Sequence, residues 1–323
     1  MIVITGAAGF IGSCMTSKLN HENHHDLILV DDFSKESKKA NWQDKQYADK
    51  IHRDDFFAWA HANAKHITCI IHLGARTDTT EMDYSVFERL NVGYTQEMWS
   101  LATQYRIPLL YASSAATYGG GELGYVDDES IIPQLQPLNP YGKSKNEIDK
   151  WILKQGKMPP LWAGFKFFNV YGPNEYHKGR MASVIFHSFH QINETGKVKL
   201  FRSHRPDYAD GQQRRDFIYV KDVVDVLYWF SRNSHPNGIF NLGTGKARTF
   251  LDLATATFHA MGREPVIEYV DIPEDIRDKY QYFTEARMEK IKESGCNHEF
   301  HSLENGVTNY VSDFCRNRSR CAF

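Results

Sequence analysis

The sequence has few cysteines, and their distribution excludes two kinds of stabilised domain. Five occur in 323 residues, an odd number, and no two of them form a CxxC pair. Scattered cysteines argue against a disulfide framework and against a cysteine-based zinc site, and they are typical of a reducing compartment. We therefore predict no metal site. We also predict no functional role for Cys315 and Cys321, which lie in a basic C-terminal tail.

A strong net charge and long apolar runs are also absent. The formal charge is -2 at pH 7, which gives no reason to expect binding to nucleic acid or to a membrane surface. No apolar run approaches the ~20 residues that span a bilayer. The N-terminus also lacks the charged region that precedes the apolar part of a secretion signal. We therefore expect a cytoplasmic protein with neither a nucleic-acid nor a membrane partner.

What the sequence has is an alternation of short apolar runs with segments of helical periodicity. This alternation predicts a parallel sheet covered on both faces, with a ligand at the carboxyl ends of the strands. The predicted fold class is α/β, a Rossmann-type doubly wound parallel sheet with a smaller discontinuous α/β substrate domain. The predicted strands are residues 1–5, 27–30, 67–73, 107–112, 165–170, 217–220 and 238–242, and the predicted helices include 10–19, 87–105 and 141–154. We assign 1–168 and about 216–246 to the dinucleotide-binding domain, and about 169–215 and 247–323 to the substrate-binding domain.

The segment between the first strand and the first helix is rich in glycine. Gly6, Gly9 and Gly12 have the spacing G-x-x-G-x-x-G. Glycines here would let a pyrophosphate approach the free N–H groups of a helix N-terminus, because no Cβ atom stands in its way. An acidic residue follows about 20 positions later, as in dinucleotide-binding units. The turn therefore predicts a bound dinucleotide.

The end of the second predicted strand leaves the choice of dinucleotide open. Asp31 would accept hydrogen bonds from an adenosine ribose, which favours NAD. Lys35, Lys38 and Lys39 follow closely and would suit the 2′-phosphate of NADP, although a solvated loop explains them equally well. The sequence predicts NADP or NAD without deciding between them.

Three polar residues have the pattern of a catalytic group. Ser114 follows a buried strand, at the sheet edge where ligands lie, and Tyr141 and Lys145 are four residues apart on a predicted helix. Residues with that spacing lie one turn apart on one helix face. Because a neighbouring ammonium favours the phenolate, it would adapt a tyrosine to proton transfer near neutral pH.

The motifs TGAAGFIG, SSAATYG, NPYGKSK, FNVYGP, RDFIYVKDV and IFNLGTG stand in that order along nearly the whole chain. In this arrangement the sequence resembles the extended short-chain dehydrogenases/reductases that act on nucleotide sugars. The resemblance implies a Rossmann domain bearing Ser114, Tyr141 and Lys145 as catalytic residues, and a discontinuous substrate domain.

The segment from Asn169 to Val184, together with ASSAATYGG and YQYFTEA, is similar to the family of ADP-L-glycero-D-manno-heptose 6-epimerases. The resemblance implies epimerisation at C6 of an ADP-linked manno-heptose, in the synthesis of lipopolysaccharide core precursors. Lys178, within HKGRMAS, matches a second acid/base of that family, opposite the tyrosine. The resemblance also implies one tightly bound nicotinamide cofactor per subunit and a homo-oligomer, for which a pentamer is one known assembly.

The same resemblance implies two sets of contacts. Cofactor contacts are expected at Gly6, Gly9, Phe10, Ile11, Gly12, Asp31, Asp32, Lys38, Arg53, Leu73, Gly74, Ala75, Arg76, Thr77, Asn91, Lys145, Val170 and Lys178. Substrate contacts are expected at Ser114, Asn169, Arg180, His187, Phe201, Arg215 and Tyr280. Arg180 departs from the smaller residue common in the family, and His187 would equally suit the packing of a helix.

Three other functions fit parts of the pattern. A UDP-hexose 4-epimerase or a dehydratase would use the same scaffold, but Ala115 and Ala116 replace the acidic residues expected after the hydroxyl of a 4,6-dehydratase. A 4-epimerase would not require Lys178. A non-catalytic NAD(P) sensor would need only the glycine turn.

Overall fold

The computed structural model describes residues 1–79, 81–277 and 280–317, and it arranges their strands in three sheets. In chain order the strands are β1 (Ile2–Thr5), β2 (Leu27–Asp31), β3 (Asp49–His52), β4 (Cys69–His72), β5 (Leu109–Ser114), β6 (Trp162–Phe167), β7 (Asn169–Tyr171), β8 (Val198–Phe201), β9 (Arg214–Tyr219), β10 (Gly238–Leu242), β11 (Ala247–Thr249) and β12 (Ile267–Val270).

The α-helices alternate with these strands. They are α1 (Phe10–His21), α2 (Phe56–Asn63), α3 (Tyr84–Phe87), α4 (Tyr94–Tyr105), α5 (Pro140–Ile152), α6 (Val184–Thr195), α7 (Val220–Arg232), α8 (Phe250–Ala260), α9 (Glu274–Arg277), α10 (Glu289–Glu293) and α11 (Leu303–Asn317). A π-helical turn, Glu88–Gly93, joins α3 to α4. No helix of the described residues is long and apolar enough to cross a membrane.

The largest sheet has seven parallel strands in the order β10-β6-β5-β4-β1-β2-β3. All four residues of β1, IVIT, are buried, as expected for a central strand of a parallel sheet. Strand order reverses beside β1, where β2 and β4 flank it. A crevice opens at such a reversal, at the carboxyl ends of the strands.

Two small sheets lie beyond this core. One has the order β11-β9-β7, in which β7 and β9 are parallel and β11 is antiparallel to β9. The other pairs β8 with β12 in parallel. A separate apolar cluster, built from Ile192, Val198, Leu200, Ala254 and Phe258, packs α6 and α8 against β8.

The predicted α/β class with a doubly wound parallel sheet is confirmed. The predicted run 165–170 is divided between β6 and β7, and 217–220 falls in β9 and the start of α7. The predicted long helix of 87–105 is also divided, by the π-helical turn. The division into two domains stays a prediction, and the end of the basic tail, residues 318–323, lies outside the described residues.

Candidate active site

A cavity of about 1270 Å³ opens at the carboxyl ends of β1, β2, β4 and β5. It extends from the turn after β1, across the start of α5, to the region of β9 and α8. This volume exceeds the usual range for a pocket that holds one small ligand. The cavity therefore has room for a dinucleotide together with a second ligand.

The glycine turn fits a dinucleotide because its backbone is packed too closely for side chains. Gly6 has φ of +68°, and a Cβ atom there would lie 2.7 Å from the backbone nitrogen of Gly74. A Cβ atom on Gly12 would overlap the carbonyl oxygen of Gly6. The turn thus keeps α1 tight against β1 and leaves the start of the helix open toward the cavity.

The first turn of α1 supplies donors for an anion. Within the described ranges, the backbone N–H groups of Phe10, Ile11 and Gly12 have no protein acceptor, and no acidic residue lies in this turn. All three residues line the cavity. Free N–H groups at the positive end of a twelve-residue helix suit a pyrophosphate. The residues present therefore fit a dinucleotide cofactor.

Asp31 lines the cavity at the carboxyl end of β2. Its carboxylate accepts hydrogen bonds from the backbone of Ala8 at 2.9 Å and of Asp32 at 2.7 Å, and it lies 3.3 Å from Nζ of Lys38. Lys35 and Arg53 also line this end. A carboxylate for a ribose and cations for a phosphate are thus present together, so the geometry leaves both NAD and NADP open.

Tyr141 and Lys145 enter the cavity from the first turns of α5. The side chain of Asn139 caps this helix by accepting from the backbone N–H of Gly142 at 2.8 Å, and Pro140 occupies its first position. Burial raises the pKa of Tyr141, and a hydrogen bond with Ser114 partly opposes that rise. The tyrosine is therefore a protonated group, a proton donor, at neutral pH.

Lys145 is a buried cation next to that tyrosine. Its Nζ donates to the carbonyl oxygen of Ala112 at 2.8 Å. Burial lowers the pKa of Lys145 to about 8, although the charge of Asp149 opposes the change. The amine is thus still protonated at neutral pH, but much less firmly than an exposed lysine.

Lys178 reaches the cavity from a different element, the 3₁₀ segment Tyr176–Met181. Its Nζ lies 5.3 Å from the ring centre of Phe10, at the glycine turn. Burial lowers the pKa of Lys178, and the nearby carboxylate of Glu175 opposes this. Glu175 also accepts from both the backbone N–H and the hydroxyl group of Ser183, each at 2.6 Å, which fixes the segment.

Arg215 also lines the cavity, and its side chain lies next to two aromatic rings. The centre of its guanidinium group is 5.6 Å from the ring of Phe250 and 5.3 Å from that of Tyr280. The group donates to the carbonyl oxygens of Arg214 and Gln281. Burial lowers the pKa of Arg215. A buried guanidinium group facing a cavity suits a diphosphate.

The structure brings most of the predicted site residues to this one cavity. Those that line it are Gly6, Gly9, Phe10, Ile11, Gly12, Asp31, Lys38, Arg53, Leu73, Gly74, Ala75, Arg76, Thr77, Ser114, Tyr141, Lys145, Asn169, Val170, Lys178, Arg215 and Tyr280. Their individual roles stay predictions.

Asp32 and Asn91 lie behind the wall of the cavity. The carboxylate of Asp32 accepts from the backbone N–H of Ser34 at 3.2 Å and lies 3.7 Å from the guanidinium group of Arg53. The amide of Asn91 pairs with the backbone N–H and carbonyl groups of Arg76, at 2.8 and 3.0 Å. Both residues therefore hold neighbours that do line the cavity.

Three of the predicted substrate contacts are not among the residues that line the cavity. Arg180 is 70% exposed and its guanidinium group lies 3.9 Å from the carboxylate of Asp78. His187 follows Phe186 on α6, with their ring centres 5.8 Å apart, and Phe201 ends β8 with its ring 5.8 Å from that of Tyr280. Substrate contact at these three positions stays a prediction.

Sequence reasoning missed several residues of the wall, among them Asn139, His177, Phe250 and Gln281. Asn139 stood two positions before Tyr141 in NPYGKSK, and that spacing is the signal that would have found it as a helix cap. Nothing in the local sequence marked Phe250 or Gln281, because only the tertiary fold brings them beside Arg215.

Fold and site together define a dinucleotide-dependent enzyme with a tyrosine and a lysine one turn apart beside its cofactor turn. Residues 2–243 match the pattern of the NAD dependent epimerase/dehydratase family, and the chain belongs to that family. The predicted class of enzyme, an isomerase with a nicotinamide cofactor, is confirmed.

Two curated relatives are similar over nearly the whole length. One is the ADP-L-glycero-D-manno-heptose-6-epimerase of Fusobacterium nucleatum, 47% identical over 97% of this chain and 98% of the relative. The other has the same name, comes from Nitratidesulfovibrio vulgaris, and is 48% identical over 97% and 98%.

Solved structures show the same fold. The ADP-L-glycero-D-manno-heptose-6-epimerase of Helicobacter pylori matches with a TM-score of 0.81 and 24% identity, over 98% of this chain and 96% of that one. The UDP-glucose 4-epimerase of Thermus thermophilus, solved with NAD, matches with a TM-score of 0.77 and 21% identity, over 98% and 99%.

Proposed function

We propose that the protein interconverts the C6 epimers of ADP-linked manno-heptose, converting ADP-D-glycero-D-manno-heptose to ADP-L-glycero-D-manno-heptose. The observation that carries the proposal is that Tyr141 and Lys178, from two different elements, line one cavity beside the dinucleotide turn. Two curated relatives that carry this activity in their names are 47% and 48% identical to the chain over nearly its full length. We expect the product to be a precursor in lipopolysaccharide core synthesis.

Two proton-transferring residues suit an epimerisation that passes through a ketone. When bound, the nicotinamide would accept a hydride from C6 and return it. The ketone must turn between these events, so that the hydride returns to its other face. Tyr141 and Lys178 would each then exchange a proton with the C6 oxygen in one of the two orientations.

The pKa directions are consistent with that division of labour. Burial raises the pKa of Tyr141, against the lowering expected from the ammonium of Lys145, so Tyr141 is a proton donor at neutral pH. Burial lowers the pKa of Lys178, so the neutral amine, which can act as a base, forms more readily than in an exposed lysine. Ser114, hydrogen-bonded to Tyr141, would hold the C6 oxygen.

The nucleotide end would be held by Arg215. Its guanidinium group packs against the rings of Phe250 and Tyr280, and Arg215 lines the cavity. The fork of N–H donors would bind the diphosphate of ADP and leave the heptose near Tyr141. Binding energy far from the reacting carbon would then fix the sugar for reaction.

The direct test is incubation of the purified protein with ADP-D-glycero-β-D-manno-heptose, with the C6 epimers followed by NMR. We expect conversion to an equilibrium mixture. Turnover of UDP-galactose without turnover of the heptose would contradict the proposed substrate but not the proposed class of enzyme. A protein that binds the dinucleotide but turns over neither sugar would favour the sensor function.

Lys178→Met tests the second base. Because general acid–base catalysis contributes about 10²–10⁴-fold, we expect epimerisation to fall by at least about 100-fold while the cofactor still binds. Lys199→Met, at a lysine of β8 whose side chain is 61% exposed, is the matched control and should be fully active. Full activity of Lys178→Met would show that one base suffices.

We also infer a cytoplasmic homo-oligomer. This inference rests on the resemblance to the heptose epimerases, among which pentamers occur. Light scattering of the purified protein measures the subunit number, and a monomer at working concentrations would contradict the inference.

A further inference from the structure

A buried ion pair that the proposed mechanism does not use lies beneath the catalytic serine. Nζ of Lys166, on β6, is 2.7 Å from the carboxylate of Asp149, on α5. Both side chains are 0% exposed. Asp149 stands four residues after Lys145, and therefore on the same side of the helix.

The pair belongs to a closed ring of hydrogen bonds around Ser114. The hydroxyl group of Ser113 donates to Asp149 at 2.7 Å. On the other side, Lys166 donates to the hydroxyl group of Thr117 at 2.7 Å, and Thr117 donates to the carbonyl oxygen of Ser114 at 2.8 Å. The ring therefore holds the chain on both sides of the serine hydroxyl group.

The same elements hold the neighbouring residues. Tyr111 donates to the second carboxylate oxygen of Asp149 at 3.0 Å, and Lys145 donates to the carbonyl oxygen of Ala112 at 2.8 Å. The end of β5 is thus fastened to α5 residue by residue. Catalytic groups on two elements keep their relative geometry only where such contacts lock them.

The net stability that a buried ion pair contributes is often small, because desolvation of the two charges offsets their attraction. A fully satisfied buried network instead rigidifies the groups it joins. In this protein the joined groups are the two elements that carry Ser114 on one side and Tyr141 with Lys145 on the other. The ring would therefore fix the positions of Ser114, Tyr141 and Lys145 relative to one another.

We propose that Lys166, Asp149 and Thr117 are positioning residues, which fix the hydroxyl group of Ser114 against Tyr141 for the C6 proton transfer. The inference rests on the proposed function for the identity of the reaction. The positioning role itself rests only on the ring of hydrogen bonds. Thr117 is the link that a mild substitution removes, because valine has the same shape and lacks only the hydroxyl group.

The test compares Thr117→Val, Thr117→Ser and the wild-type holoenzyme by steady-state kinetics with ADP-heptose. We expect kcat of Thr117→Val to fall about tenfold or more, since small misplacements of catalytic groups are costly, while KM and cofactor affinity change less than about twofold. Thr117→Ser restores the hydroxyl group and should recover most of kcat. A loss that serine does not rescue, or one confined to KM, would overturn the proposal.

Thr257→Val is the matched control. Thr257 is fully buried in α8, its hydroxyl group donates to the carbonyl oxygen of Leu253 at 2.9 Å, and Thr257 itself does not line the cavity. Thr257→Val loses one buried hydrogen bond, whereas Thr117→Val loses two, and it should keep the wild-type kcat. Equal kcat values for the two valine variants would contradict a positioning role.

A crystallographic comparison separates this inference from the proposed function. Crystal structures of the two variant holoenzymes should show the hydroxyl group of Ser114 displaced in Thr117→Val and unmoved in Thr257→Val. An unmoved Ser114 in Thr117→Val would overturn the positioning role, whatever the substrate is. A wild-type protein that does not convert ADP-heptose, with Ser114 displaced in Thr117→Val, would overturn the proposed function alone.

Discussion

Replacing Lys145 with methionine should stabilise the cofactor-free protein while it removes activity. Burial lowers the pKa of this lysine from its ordinary value of 10.5 to about 8. A lowered lysine pKa means that the unfolded chain binds the proton more tightly than the folded chain. The wild type therefore loses stability as the pH falls from above 10.5 to about 8, and Lys145→Met has no such loss.

The magnitude follows from the two pKa values. At pH 7 the difference between 10.5 and about 8 costs the wild type about 3 kcal/mol, and at pH 9.5 it costs about 1 kcal/mol. Methionine also removes the hydrogen bond to Ala112, which is worth about 1 kcal/mol. We therefore expect a net gain of about 2 kcal/mol at pH 7 and a gain near zero at pH 9.5.

Urea unfolding of the cofactor-free proteins at both pH values, followed by tryptophan fluorescence, measures this difference. Lys143→Met, at a lysine of α5 that is 59% exposed, is the control and should show no comparable dependence on pH. A variant at position 145 that is less stable than the wild type at pH 7 would refute the argument, as would a stability difference that is the same at both pH values.

Two further substitutions test the ends of the cavity. Gly12→Ala places a methyl group against the carbonyl oxygen of Gly6, so we expect cofactor affinity, measured by fluorescence titration, to fall by about tenfold or more. Gly156→Ala is the control, because no atom lies within 4 Å of the added methyl group, and it should bind the cofactor normally. Normal binding by Gly12→Ala would contradict the packing argument. Arg215→Lys keeps the charge and loses the planar fork, so we expect KM for the nucleotide sugar to rise about tenfold with a smaller change in kcat, and an unchanged KM would place the diphosphate elsewhere.

The parts of the fold that could be predicted are those whose signal is local. The strands β1, β2 and β10 are apolar runs bounded by polar or glycine residues, and they lie within one or two residues of the predicted positions. The strand β3 was missed because its sequence, DKIH, is polar, as an exposed edge strand allows. The short strands β8, β11 and β12 lack a period long enough to detect.

The residues of the candidate site also divide into those with a local signal in the sequence and those without one. The glycine turn and the YxxxK pair are fixed by spacing along the chain, so the sequence alone located them. Lys178 needed the family resemblance, because a loop lysine has no local signal of its function. The wall around Arg215 comes from residues far apart in sequence, Phe250 and Tyr280, which only the tertiary fold joins.

One signal in the sequence was available and unused. Lys166 stands in the run WAGFKFF, where every neighbour is apolar or small. A charge in a strand that is buried on both faces needs a buried partner. The third residue of a YxxxKxxxD spacing, Asp149, is that partner in the structure. A lone charge within an apolar strand therefore predicts a polar network as well as a strand.

The charges of the cavity explain why the protein would tolerate the cost of Lys145. Burial lowers the pKa of Lys145, Lys178 and Arg215 alike, so a positive charge on any of these side chains is less favourable in the folded chain than in the unfolded chain. The expected ligands are two diphosphates, one at the start of α1 and one at Arg215, and each brings negative charge to these cations. Ligand binding would offset the electrostatic cost and raise stability by mass action. The electrostatic cost of these buried cations in the ligand-free protein would then also favour binding of the negatively charged dinucleotide and nucleotide sugar.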